Sequence, residues 1–173
     1  MASGVGAQAA DLAPAGGIFG RFYEGLGYLA GLILAVMAGA VFVQVILRYV
    51  GWAAFDGLDE VPRYLFVWLV MIGAAAAMHR GEHTLLGYFR DRLGRRGRAV
   101  AIIAVNAAGI TLFAYFIKLG FILVPNAQLQ TSAGLGLPLG YVYAAVPVGA
   151  ALIILPMARI VFLALRDLWP RPY

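Results

Sequence analysis

Residues 78–98 read MHRGEHTLLGYFRDRLGRRGR and interrupt a chain that is otherwise close to oil. Six of the thirteen Lys and Arg residues fall inside this stretch, together with both histidines. Its reading decides the fold, because such charges mean one thing on a soluble surface and another between two membrane spans. The chain of 173 residues is 63% hydrophobic and only 12% charged, with no cysteine. Soluble domains carry about 25% charged residues, so a water-facing globule would lack half its polar cover. The length suits one domain. A formal net charge of +5 invites a nucleic-acid reading. The basic residues, however, flank long apolar runs, as membrane loops do, and form no soluble basic face. Without cysteine there are no disulfides, no thiol catalysis and no thiolate-held metal.

Working outward from that stretch, four apolar runs appear. A transmembrane helix needs about 20 such residues to cross ~30 Å of hydrocarbon. The first run, Gly25 to Leu47, carries no charge. The second, Tyr64 to Met78, is charge-free over only fifteen residues, about 22 Å of helix. It spans only if Asp59 to Arg63 is helical too, and Pro62 permits this, since its missing N–H has no partner in a first turn. The third, Ala99 to Val124, contains Asn106 and Lys118, and the fourth runs from Leu137 to Ala158. Lys118 lies about 28 Å along its helix from Ala99, where it can snorkel to the interface. The expected fold is an all-α membrane protein of four transmembrane helices. Residues 1–20 form a flexible tail rich in small residues, 21–167 the membrane domain and 168–173 a C-terminal tail. The tail lacks the basic segment of a signal peptide, so the first span is expected to be retained.

Four spans place both termini and the opening stretch on one side. That side holds Arg21, Arg80, Arg90, Arg92, Arg95, Arg96, Arg98, Arg159, Arg166 and Arg171, and the other holds Arg48, Arg63 and Lys118. The excess of ten over three puts the termini in the cytoplasm. Within the loop, Leu85, Leu86, Phe89 and Leu93 share a helical face. This predicts a short amphipathic helix over Thr84 to Leu93 in the interface between the second and third spans. Arg90, Arg92, Arg95, Arg96 and Arg98 are then candidates for lipid headgroups.

His79 to His83 match the H-x-x-E-H spacing of some zinc peptidases, but a catalytic zinc needs a third ligand and a pocket for water. The acids downstream are only Asp91 and Asp167, and Gly81 weakens the helix that would align the histidines. No catalytic or metal-binding residue is assigned. Gly27, Gly31, Ala35 and Gly39 recur every fourth position and flatten one face of the first span for another helix. Asp56, Asp59, Glu60 and Arg63 stand at i, i+3, i+4 and i+7. Asp59 and Glu60 also suit the positive end of the second helix dipole, so capping and a subunit interface are both open readings. Pro147 and Pro156 predict a kink or freed carbonyls in the fourth span. The first, second and fourth spans hold no central ionisable group, unlike a pump or ion-coupled carrier. The chain reads as a helical support.

Residues 59–86, DEVPRYLFVWLVMIGAAAAMHRGEHTLL, resemble the signature of the small membrane subunit of tripartite ATP-independent periplasmic (TRAP) transporters. The matching features are Asp59 and Glu60, then Arg63, the run from Gly73 to Ala77, Arg80 and His83. Residues 129–155 are similar to the family's start of the fourth helix, with Ser132, Pro138, Tyr143, Pro147 and Gly149. Asp59 stands where the family often has glutamate, and Gly87 where it often has an acid. The resemblance implies a non-catalytic subunit in a bacterial or archaeal inner membrane. It would brace a large membrane subunit and help dock a periplasmic substrate-binding protein for sodium-driven uptake of a small organic acid. Sodium belongs to the large subunit and no cofactor to this chain. Membrane lipids are expected partners and nucleic acid is not. The alternatives are a self-sufficient small four-helix carrier, which would place an acid inside a span, and a membrane enzyme, which would need convergent reactive groups.

Overall fold

The computed structural model describes residues 17–50, 57–80 and 95–168. Among the described residues five helices follow in order: α1 (Ile18–Tyr49), α2 (Glu60–His79), α3 (Arg95–Ala127), α4 (Gly140–Tyr143) and α5 (Ala145–Leu168). Four stretches are long and apolar enough to cross a membrane: Ile18–Tyr49, Glu60–His79, Ala99–Ala127 and Gly140–Arg166. The protein is an all-α, multi-pass membrane protein. Asp56, His83, Arg90, Arg92 and the amphipathic segment Thr84 to Leu93 lie outside the described residues.

The short second span is completed as its length requires. α2 starts at Glu60, with Pro62 in its first turn, and its 20 residues cover about 30 Å. Two other limits differ from expectation. α1 begins at Ile18, seven residues before Gly25 and inside the stretch read as tail. Tyr23 is buried there and Phe19 packs beside it, so apolar contact carries the helix past the charges of Arg21 and Glu24. The fourth span runs from Gly140 to Arg166, not from Leu137 to Ala158. Leu137 and Pro138 belong to the preceding loop, where Ser132 N–H donates to the Leu137 carbonyl at 2.9 Å. Beyond Ala158, Arg159 does not end the helix, because its guanidinium lies 6.0 Å from the Phe19 ring centroid, within cation–π reach.

Pro147 acts at a helix start and produces no mid-helix kink. It sits in the first turn of α5, and with no N–H it cannot close the bond back to Tyr143. The helix therefore divides at Ala144, which donates to the Gly140 carbonyl and accepts from Val148 N–H.

The long helices form a row in the spatial order α1, α2, α5, α3, each packed against its neighbours. A row has two outside faces, which accounts for exposed Phe42, Phe121 and Phe162 on three different helices. Its tightest core lies towards one end, where Tyr23, Ala75, Met78, Ile153 and Met157 are buried together. Lipid is as apolar as leucine, so helices associate through close packing more than through burial from water. A Cβ on Gly120 would meet Pro147 at 2.6 Å, and Gly149 lies equally tight against Met71. The small residues of α1 have a different setting: Gly31 and Gly39 face open space and Ala35 is exposed.

Candidate functional site

The end where α2 begins is organised by one carboxylate. Glu60 Oε1 accepts from Gly134 N–H at 3.0 Å and Oε2 from Leu135 N–H at 3.2 Å. The Ser132 and Tyr64 hydroxyls lie beside the same carboxylate. The loop it grips closes on itself. Gly136 N–H donates to the Ser132 carbonyl, Leu139 N–H to the Gln130 carbonyl, and Leu137 N–H to Ser132 Oγ at 3.2 Å. Thr131 and Pro138 face each other across it. Gly57 brings the two connections together. Its φ is +116, and a Cβ would stand 2.8 Å from the Gly134 carbonyl carbon. A side chain there would be strained and would also strike the loop backbone.

Glu60, Ser132 and Pro138, distant in sequence, therefore meet in one clamp. Asp59 occupies the N-cap position of α2, but its side chain makes no cap hydrogen bond and is exposed. Arg63 is exposed as well. It rims a groove of about 260 Å³ walled by Tyr64, Val67, Leu139, Val142, Tyr143 and Val146. The acidic turn thus divides its labour: Glu60 turns inward to the chain's own loop, whereas Asp59 and Arg63 remain available outside.

The end where α2 finishes is aromatic. Tyr23 stacks on His79 with centroids 4.6 Å apart. Phe19 meets Tyr23 at 4.9 Å and His79 at 5.4 Å. The Tyr23 hydroxyl donates to the Leu152 carbonyl at 2.7 Å. Pro156 stands four residues after Leu152 and has no N–H to return, so that carbonyl would otherwise lack its helical partner. Tyr23 supplies the missing donor and ties α1 to α5. His79 is thereby taken up in a ring stack, with its Nε2 buried and, among the described residues, without a hydrogen-bond partner. Arg80 caps α2, its guanidinium over Gly27 of α1. Arg95, Arg96 and Arg98 fall in the first turn of α3 at this same end.

The family model described as "Tripartite ATP-independent periplasmic transporters, DctQ component" matches residues 37–167. The chain belongs to that family. A TRAP transporter small permease protein of Haemophilus influenzae is 30% identical over 122 residues, covering 70% of this chain and 75% of that one. The C4-dicarboxylate TRAP transporter small permease protein DctQ of Rhodobacter capsulatus is 31% identical over 106 residues, 60% of this chain and 47% of the relative. The sialic acid TRAP transporter permease protein SiaT of Haemophilus influenzae is 23% identical over 125 residues, 72% of this chain but 20% of the relative. This DctQ component is therefore a small permease subunit of a transporter.

Sequence reading of the DctQ component missed Gly57, Gly134 and Tyr23. The first two sit in glycine-bearing connections and carry no signal of which glycine meets which. Pro156 did announce a freed carbonyl, but its donor lies 129 residues from Leu152, on another helix.

Proposed function

We propose that this DctQ component braces the large membrane subunit of a TRAP transporter and presents its clamped outer loop as part of the surface that receives a periplasmic binding protein. The observation that carries this reading is the row of helices. Among the described residues the long helices meet as a line of neighbours with large apolar side chains exposed along it, so the solute path is assigned to a partner chain that covers one face. Support for such a partner comes from the SiaT likeness, in which this chain corresponds to about one fifth of a longer permease. Sodium coupling and the solute site then lie on the large subunit. An organic acid is the proposed solute class, because the relatives' names specify a C4-dicarboxylate and sialic acid. The proposed location is a bacterial or archaeal inner membrane with both termini in the cytoplasm, in keeping with the distribution of basic residues.

Co-expression with the large subunit and binding protein, followed by reconstitution, tests this. A sodium gradient should drive uptake only when all three are present, and the large subunit should co-purify with this chain. Uptake by this chain alone would instead establish the self-sufficient carrier. Orientation is tested separately with single cysteines at Arg95 and at Leu129, which is 87% exposed. An impermeant thiol reagent added from the periplasmic side should modify position 129 and spare position 95. The reverse pattern would invert the topology.

A further inference from the structure

Between α1 and α2, in the half where α2 finishes, lies a groove of about 240 Å³ lined by Gly27, Ala30, Gly73, Ala76, Ala77 and Arg80. Five of these six residues carry no atom beyond Cβ, so the trough is narrow, apolar and smooth. The sixth places a cation at its end. Arg80 is the first residue beyond α2, it is exposed, and its Nη2 would lie 2.8 Å from a Cβ on Gly27. The absence of a side chain at position 27 is what lets the guanidinium reach across the groove mouth. Gly73, deeper in the trough, has no atom within 4 Å of where a Cβ would stand, so this space is not filled by the chain itself.

We propose that this groove is a phospholipid site, with one acyl chain lying along the Gly73 trough and Arg80 holding the headgroup phosphate. Three properties favour a lipid over a partner helix. The charge sits at one end only, matching a molecule that is anionic at its head and apolar along its length. Arg80 follows a helix of 20 residues, about the thickness of the hydrocarbon layer, which puts the guanidinium at headgroup depth. A helix is about 10–12 Å across with its side chains, whereas an alkyl chain fits a seam between two packed helices. Arg21 and Arg159 lie towards the same end, and basic pockets between helices on such a side attract anionic headgroups. The proposal does not depend on the transport reading, because it concerns only these two helices and the bilayer.

The test uses the full chain, purified in mild detergent, delipidated and titrated with phosphatidylglycerol while occupancy is read by native mass spectrometry. One lipid should bind per chain. Arg80→Gln should weaken binding about tenfold or more, as loss of a hydrogen bond to a charged group does, and Arg80→Lys should recover part of it. Gly73→Leu and, independently, Ala77→Leu should displace the lipid by filling the trough, with unchanged thermal unfolding showing that the fold is intact. Arg166→Gln, a charge at the same end but outside the groove, should leave occupancy unchanged. Equal occupancy in Arg80→Gln and both leucine variants would overturn the proposal. So would displacement of the lipid by millimolar inorganic phosphate, which would mark a simple anion site. Leucine variants that retain lipid but lose the large subunit would show that a helix occupies the groove.

Discussion

The two ends of the helical row solve the same problem from opposite sides. Where α2 begins, two loop N–H groups need an acceptor, and Glu60 brings a carboxylate from α2. Where α2 finishes, the Leu152 carbonyl needs a donor, and Tyr23 brings a hydroxyl from α1. The first solution uses charge and is exposed enough to remain hydrated. The second uses a ring that is 1% exposed and packed among Phe19 and His79. The difference teaches that a charge can organise this protein's aqueous margin, whereas within the helices a neutral hydroxyl on a large apolar ring does so. The Glu60 clamp should therefore govern loop order, and the Tyr23 clamp the stability of the row.

The largest expected effect is that of Tyr23→Ala. It removes both the ring and the donor and should cost about 3–5 kcal/mol, the range for deleting a buried aromatic side chain. Reversible unfolding in mixed detergent micelles measures it, and a larger loss from Glu60→Ala would break the comparison. Gly57→Val comes next, at about 1–3 kcal/mol for a side chain forced into a glycine conformation. Its effect should be accompanied by faster proteolysis of the loop at Leu135.

Tyr23→Phe keeps the ring and loses only the donor. About 0.6–1.7 kcal/mol is expected, the measured span for hydrogen bonds between membrane helices. Pro156→Ala restores an N–H to the Leu152 carbonyl, so in that background Tyr23→Phe should cost close to nothing. A double-mutant cycle reads this coupling directly, and strict additivity would show that the carbonyl never depended on Tyr23. The smallest effect on global unfolding should come from Glu60→Gln. Its signature is local: amide exchange at Gly134 and Leu135 rises several-fold, and Glu60→Ala exceeds Glu60→Gln because the amide retains one acceptor oxygen.

Much of the scaffold was legible along the chain. Hydropathy is a local property, so the runs around Val41, Val67, Val105 and Ile153 declared four spans. The deficit of the second span required a helical Glu60 to Arg63, and that turn is present. The site was less legible. Glu60 read equally well as a helix-dipole charge or as an interface residue, and its actual partners lie 74 and 75 residues away. The small residues of α1 looked like a packing seam, yet among the described residues Gly27 alone of Gly27, Gly31 and Gly39 has a close neighbour, the Arg80 guanidinium, while Gly109, Gly120 and Gly149 make the tight approaches between α3, α5 and α2.

By itself, the sequence determined the membrane class, the number of spans, the separation of basic residues between the two ends and membership of the DctQ family, all of which depend on composition and order along the chain. Only the tertiary structure decided the neighbour order α1, α2, α5, α3, the grip of Glu60 on its loop and the bond from Tyr23 to Leu152. The physical reason is the solvent. In water, an apolar stripe tells a helix which face turns inward. In a bilayer, spans are apolar all round and lipid satisfies every face, so pairing is settled by shape and by a few polar groups in three dimensions.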